Sequence, residues 1–423
     1  MKVCDCNDAR GKLECAQLSE TCLLPELCVN PPQSLNDLRP ISVTPILSRV
    51  FERLFVKHHF YPSLPANILT DQFAFRPTGS TTAALIFNFH HITRLLSNNS
   101  YVRCLLVDFS KAFDTVPHSA LLDKLENQGC PQYIINWLAS YLTDRTQSLA
   151  TPGGPSPPLP INRSIIQGSG IGPTSFIAYI ADLKPLCSAN IYSKYADDLT
   201  ILCPESSPVT ISEELDHVRS WAETNGLLIN TSKTKEIVLH RPSDRHFTIP
   251  PLLNCIERVD CVKLLGVLFT DKISFTPHID AVLSTISQRF TAILPPKSST
   301  SSGTEHTLST VFILSKILYA CQSFSGYLNE SDIDRLQACL TKAHRWGYTK
   351  APIIITELFE QRNFKLFEQI LKDSQHCLHQ LLPAERDMHG RSLRLRGHPY
   401  QLPLIKFETF KSAYINKCLY AYI

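Results

Sequence analysis

The stretch Lys194–Leu202, KYADDLTIL, sets two carboxylates side by side, Asp197 and Asp198, between a short polar break and an apolar run. Its frame, IYSKYADDLTILC (191–203), has two β-rich runs either side of that break. It reads as a hairpin with Asp197 and Asp198 at the tip. Like charges this close repel, and both stay ionised at neutral pH only beside something cationic. A solvated turn is one reading, because acids are common in turns. A metal site is the other.

Upstream, CLLVDFSKAFDTVPH (104–118) supplies a third acid, Asp108, at the end of the buried-strand pattern VRCLLVDF (102–109). A carboxylate closing a buried strand is costly unless something compensates it. If the two acidic strands are neighbours in one sheet, Asp108, Asp197 and Asp198 converge. Oxygen ligands without Cys or His favour Mg2+ or Mn2+. Two such ions about 3.5–4 Å apart can hold both the attacking and the leaving oxygen of a phosphoryl transfer.

Around these acids the chain alternates strand and helix signals. Helices are expected over SALLDKLENQG (119–129), capped by Ser119 and ended by Gly129, and over SEELDHVRSWAETNG (212–226), ended by Gly226. VKLLGVLF (262–269) is a strand pair or a strand bent at Gly266. PHIDAVLSTISQRFTAI (277–293) and SDIDRLQACLTKAHRW (331–346) read as helices apolar on one side. The class is α+β, with helices on one face of a sheet. Residues 29–37, 150–160 and 294–305 read as linkers, and the second cannot hold a helix or a central strand.

The order of VDFSKAFDTVPH, IIQGSGIGPTSF (165–176) and YADDLTIL resembles the central motifs of reverse transcriptases. The likeness is to non-LTR, LINE-type retrotransposon enzymes of the jockey-like kind. SLNDLRPISVTPILSRVFERL (34–54) and TDQFAFRPTGSTTAALI (70–86) are similar to that family's first two blocks. NGLLINTSKT (225–234) and CVKLLGVLFTDKISFTPHI (261–279) are similar to those after the acidic pair, and LRLRGHPYQLP (393–403) to its tail. The resemblance implies a right-hand polymerase with fingers, ferredoxin-like palm and helical thumb. Its divisions would be an unassigned leader at 1–28, fingers and palm with the start of the thumb at 29–293, and a helical thumb with a basic C-terminal region at 294–423.

It also implies roles. Asp108 and Asp197 would bind two Mg2+ or Mn2+ ions, with Asp198 beside them. Lys233 would approach the leaving pyrophosphate as a proton donor. Arg76 would meet the triphosphate, for which a guanidinium is suited. Phe113 would lie beneath the sugar, and Gln167 and Gly168 near the template and incoming base. Leu264, Leu265 and Gly266 would form the primer grip. Where the family carries Pro before its glutamine, this chain has Ile166. The implied reaction adds deoxynucleotides to a DNA primer on an RNA template, with DNA nicking left to a separate endonuclease. Two rivals stand beside it: an inactive, truncated retroelement remnant that only binds nucleic acid, and an RNA-dependent RNA polymerase, for which Phe113 would be out of place.

Composition fits this frame without requiring it. The chain has 423 residues, 43% apolar and 19% charged, with a net charge of +3, so a nucleic-acid surface must be local. From Arg386 to Lys411, basic residues interleaved with His398, Tyr400 and Phe407 suggest a grip on RNA by charge and stacking. No apolar run is long enough to span a membrane, and no secretory signal opens the chain. The 15 cysteines are then expected as thiols in an intracellular protein of cytoplasm or nucleus, not a secreted one. Cys4, Cys6, Cys15, Cys22 and Cys28 lack zinc-ligand spacing, so Met1–Cys28 is expected to be a poorly structured leader.

Overall fold

The computed structural model describes residues 18–25, 38–65, 67–151, 154–241, 248–292, 312–386 and 398–422. The expected joints at 29–37 and 294–305, and all of the expected 1–28 leader except Leu18–Pro25, lie outside these.

Two sheets organise the first two thirds of the chain. In the first, β1 (Leu18–Pro25) runs antiparallel to β2 (Leu38–Val43) and parallel to β4 (Thr146–Thr151). β4 also pairs with the two-residue strands β5 (Gly154–Pro155) and β6 (Leu159–Pro160). This corrects two expectations. Part of the leader is a paired strand, and the proline-rich 150–160 segment contributes short strands. Those strands sit beside only one partner, where a missing proline N–H costs nothing.

The second sheet joins β3 (Tyr101–Val107), β7 (Ile191–Tyr195), β8 (Asp198–Pro204), β9 (Lys235–His240) and β10 (Glu257–Arg258) in the order β10-β9-β3-β8-β7. β8 is antiparallel to β3 and to β7, and β9 is antiparallel to β3. Helices α3 (His118–Asn127), α4 (Gln132–Leu142) and α5 (Gly172–Tyr179) lie between β3 and β7 in the chain, and α6 (Ile211–Thr224) lies between β8 and β9. That is a βαββαβ unit with its first strand beside its third, the ferredoxin-like arrangement.

Helices are expected on one face of a sheet, but both faces of this one are covered, because residues pointing to either side of β3 and β8 are apolar, and β3 therefore reads as a near-continuous apolar run. Leu105, Val107, Leu199 and Ile201 pack under α3 to α6. On the opposite face, Val102, Cys104 and Leu202 meet α2 (Thr81–Leu96), the hairpin β11–β12 (Cys261–Leu264 and Val267–Thr270) and α7 (Thr276–Ala292). The same cluster reaches α8 (Glu330–Arg345) and α9 (Ile355–Lys372). A third cluster packs Phe73, Ile86 and Phe87 against Phe367, Leu378 and residues of α10 (Tyr414–Ala421).

Helix ends differ from expectation in one detail. α3 begins after Pro117, and no side chain caps it, so Ser119 is not the cap. Gly129 and Gly226 do terminate their helices, with φ of 76° and 68°. The hairpin reading of 262–269 holds: Leu265 and Gly266 at its turn have φ of 45° and 88°, as a tight two-residue connection needs.

Candidate functional site

β3 and β8 pair through Val107 and Leu199, and one further step of the same register sets Asp108 opposite Asp198. β7 and β8 close at Tyr195 and Asp198, so the tip of the hairpin is Ala196–Asp197, and Asp198 already belongs to β8. The three acids thus gather at one end of the sheet, at adjacent strands. Asp198 is open to solvent at its outer edge. Desolvation of its carboxyl, then the charges of Asp197 and Asp108, push its pKa up to about 6.

Among the described residues, no three His, Cys, Asp or Glu side chains form a ready metal site. The donor chemistry still fits a hard divalent cation. The ligands are oxygens only, and the charges of Asp197 and Asp108, which add to desolvation in raising Asp198, are what a bound cation would offset.

Asp108 is held from the neighbouring NTSKT segment. Its N–H donates to Thr234 Oγ1 at 3.3 Å, and its carbonyl accepts from Asn230 N at 2.8 Å. Thr234 in turn donates to the Asn230 carbonyl at 2.8 Å. Lys233 lies in this turn with its side chain exposed. The segment therefore stands beside Asp108.

Phe113 is half-buried and stacks on Phe176, ring centroids 4.1 Å apart and planes 19° apart. Beside it, Gln167 Nε2 donates to Asp114 Oδ1 at 2.7 Å, and Phe113 accepts at its carbonyl from Ile165 N at 2.7 Å. The structure thus brings Phe113, Gln167 and Gly168 into one patch. Gly168 has φ of 102°, a conformation glycine adopts readily.

The loop after Gln167 is held by Glu52, on α1 (Ile46–Phe55). Glu52 is buried, and its Oε2 accepts from Gly170 N at 2.6 Å and Ile171 N at 3.2 Å, while Ser48 donates to Oε1 at 2.8 Å. Ser169 donates to the Ile166 carbonyl at 2.8 Å and accepts from Gly172 N at 3.0 Å. The loop is therefore tied down without a proline at position 166. Sequence reading missed Glu52, although an acid between Phe51 and Phe55 was a signal.

Arg76 is partly buried and turned onto its own loop. Its Nη1 donates to the carbonyls of Leu69 at 2.6 Å and Gln72 at 3.3 Å. That excludes a merely solvated surface charge. Lys194, in β7, is buried with its ammonium on Asp71 at 3.1 Å and on the Ile180 carbonyl at 3.1 Å. Burial pushes it down to about 8, against the opposing pull of Asp71. At the hairpin β11–β12, Tyr319 donates its hydroxyl to the Leu265 carbonyl at 2.9 Å.

Two expected contacts fail. His398 and Tyr400 are buried, with His398 Nε2 on the Leu419 carbonyl at 2.8 Å, so neither ring is available to stack on a base. Arg391, Arg394 and Arg396 lie outside the described residues. Among the described residues, no helix is long and apolar enough to cross a membrane.

The family model described as reverse transcriptase (RNA-dependent DNA polymerase) matches residues 30–269. The chain is similar to the probable RNA-directed DNA polymerase from transposon BS of Drosophila melanogaster, 26% identical over 86% of this chain and 43% of that protein. It is also similar to the RNA-directed DNA polymerase from mobile element jockey of the same fly, 25% identical over 74% of this chain and 36% of that protein. The chain spans less than half the length of these curated relatives. Among solved structures it is similar to telomerase from Candida albicans, with a TM-score of 0.47, 12% identity, and 82% of this chain and 65% of that one covered.

Proposed function

The chain belongs to the reverse transcriptase (RNA-dependent DNA polymerase) family, and from that premise we propose that it extends a DNA primer with deoxynucleotides on an RNA template. The fold is the α+β right-hand polymerase, with the ferredoxin-like sheet as palm. In this reading fingers and palm occupy the chain to about residue 293, and a helical thumb and C-terminal region follow. The observation that carries the proposal is the meeting of Asp108, Asp197 and Asp198 at the end of β3 and β8.

Asp108, Asp197 and Asp198 would hold two Mg2+ or Mn2+ ions. When bound, such ions supply charge stabilisation to the triphosphate and lower the pKa of the attacking 3′-hydroxyl. The remaining work falls to the chain's own residues. Phe113, backed by Phe176, presents a flat apolar surface for a sugar without a 2′-hydroxyl. Gln167 and Gly168 face the template and incoming base on a loop that Glu52 anchors. Arg76 supplies a cation toward the triphosphate, and Lys233 gives a proton to the departing pyrophosphate. Leu264, Leu265 and Gly266 support the primer strand.

The test is primer extension on an RNA template with the purified chain and Mg2+ or Mn2+. Asp108→Ala and Asp197→Ala should each abolish extension while leaving primer–template affinity nearly unchanged. Extension by either variant above a few per cent of wild type would remove the metal assignment. A wild-type chain that binds primer–template but never extends it would support the inactive remnant instead.

A further inference from the structure

The hairpin that carries Asp197 and Asp198 turns at Ala196, whose φ is 56°. A residue with a Cβ enters that left-handed region only against steric resistance. Something must hold it there, and the structure supplies one group, Gln72. This side chain is 1% exposed. Its Oε1 accepts the N–H of Ala196 at 3.0 Å, of Phe73 at 3.1 Å and of Ala74 at 2.9 Å. The opposite amide orientation would set an NH2 group against three donors.

Its other end is costly. Nε2 is buried and has no hydrogen-bond partner among the described residues. An apolar side chain of similar size would fill the same space without that penalty, so the oxygen is the useful part. The backbone repeats the connection. Lys194 N donates to the Asp71 carbonyl at 2.7 Å and Phe73 N to the Lys194 carbonyl at 2.9 Å, a parallel bridge between Gln72 and Lys194. The Gln72 carbonyl also accepts from Arg76. The loop that carries Arg76 and the hairpin that carries the acids are thus one hydrogen-bonded unit.

We propose that Gln72 is a positioning residue for the acidic hairpin: through Ala196 N–H its Oε1 holds the left-handed turn, and so fixes Asp197 and Asp198 against Asp108 for a divalent cation. This rests on the reading of those acids as cation ligands. Gln72 touches no reacting atom, and its effect passes through the turn.

The experiment uses the full chain without nucleic acid. Mn2+ binding is titrated by electron paramagnetic resonance in wild type, Gln72→Met, Ala196→Gly and the double variant, alongside thermal melting and single-nucleotide extension. Gln72→Met keeps length and volume but removes the acceptor. It should weaken Mn2+ binding about tenfold or more, as loss of a group that orients metal ligands does. It should lower kcat at saturating primer–template without changing KM for it. In the Ala196→Gly background the same substitution should cost less than about threefold, because glycine adopts the turn unaided. Equal losses in both backgrounds, or wild-type Mn2+ affinity in Gln72→Met, would overturn the proposal. If Gln72→Met alone does not fold, the double variant decides: a tenfold loss relative to Ala196→Gly overturns the assignment. A wild-type chain that binds no Mn2+ instead overturns the ligand reading beneath it, which the wild-type titration alone reveals.

Discussion

Phe113 and Asp198 show how single side chains set chemistry here. A ribonucleotide placed over the Phe113 ring would bury its 2′-hydroxyl without a partner, costing roughly 1–3 kcal/mol, besides a steric clash. Each 1.4 kcal/mol is about tenfold in rate. Phe113→Val should therefore raise ribonucleotide use relative to deoxynucleotide about tenfold or more, read by single-nucleotide extension with each substrate. An unchanged ratio would leave Phe113 as a core ring stacked on Phe176. For Asp198, desolvation and the neighbouring acids raise the pKa to about 6. Below that pH the carboxyl carries a proton and ligates poorly, so Mn2+ affinity should climb as pH rises through about 6. The sign for stability is opposite. The folded chain binds this proton more tightly than the unfolded chain does, so without metal the stability it contributes is full below the unfolded pKa and is lost as pH rises through the folded value of about 6. Asp198→Asn should melt higher than wild type in chelator at pH 7.5, with the difference vanishing near pH 4. Solvent at the open edge limits the size of the effect, so the direction is the test. A variant that melts lower at pH 7.5 would contradict the crowded-acid reading.

At the scale of elements, the α1–glycine-loop contact shows what spacing alone could not. Both sides were visible as sequence motifs, but nothing along the chain joined Glu52 to Gly170, 118 residues apart. The join depends on close approach. A Cβ on Gly170 would come within 3.0 Å of Glu52 Cβ and 3.3 Å of the Arg49 carbonyl. Gly170→Ala should push the loop off α1 and raise KM for the incoming nucleotide more than it changes primer–template affinity. Glu52→Ala should do so more strongly, because two N–H groups lose their acceptor at roughly 1–3 kcal/mol each. Unchanged nucleotide KM in Glu52→Ala would mean the loop is set elsewhere. The acidic hairpin, in contrast, was legible: β-rich runs flanking a polar break specify it locally, and only its register, which puts Asp197 rather than both acids at the tip, needed the partner strands.

Across the whole molecule, the C-terminal helices are part of the core that frames the palm. Phe73, Ile86 and Phe87 share a cluster with Phe367, Leu378 and Leu419, and Cys377 N donates to Thr78 Oγ1 at 3.0 Å. A chain ended after residue 293 would expose that apolar face of α2. It should lose cooperative melting and aggregate; a soluble, cooperatively melting fragment would show that the palm stands without it. The basic residues around His398 and Tyr400 suggest exposed rings, yet both are buried. Burial of a polar ring depends on contacts such as those of His398 with Leu419 and Phe367, which lie outside its local pattern. The helices and strands around the acids, the acidic strand ends and the order of the motifs were legible in the sequence, because periodicity and residue chemistry act locally, whereas Leu18–Pro25 and the strands within 154–160 were not. The sequence also determined that Asp108, Asp197 and Asp198 could meet if their strands were neighbours. Tertiary structure alone decided that they do, that Leu18–Pro25 completes a sheet, and that Gln72, Glu52 and Thr234 hold the site. Those assignments rest on hydrogen bonds between distant segments, and a donor's partner across the fold is set by packing, not by its neighbours in the chain.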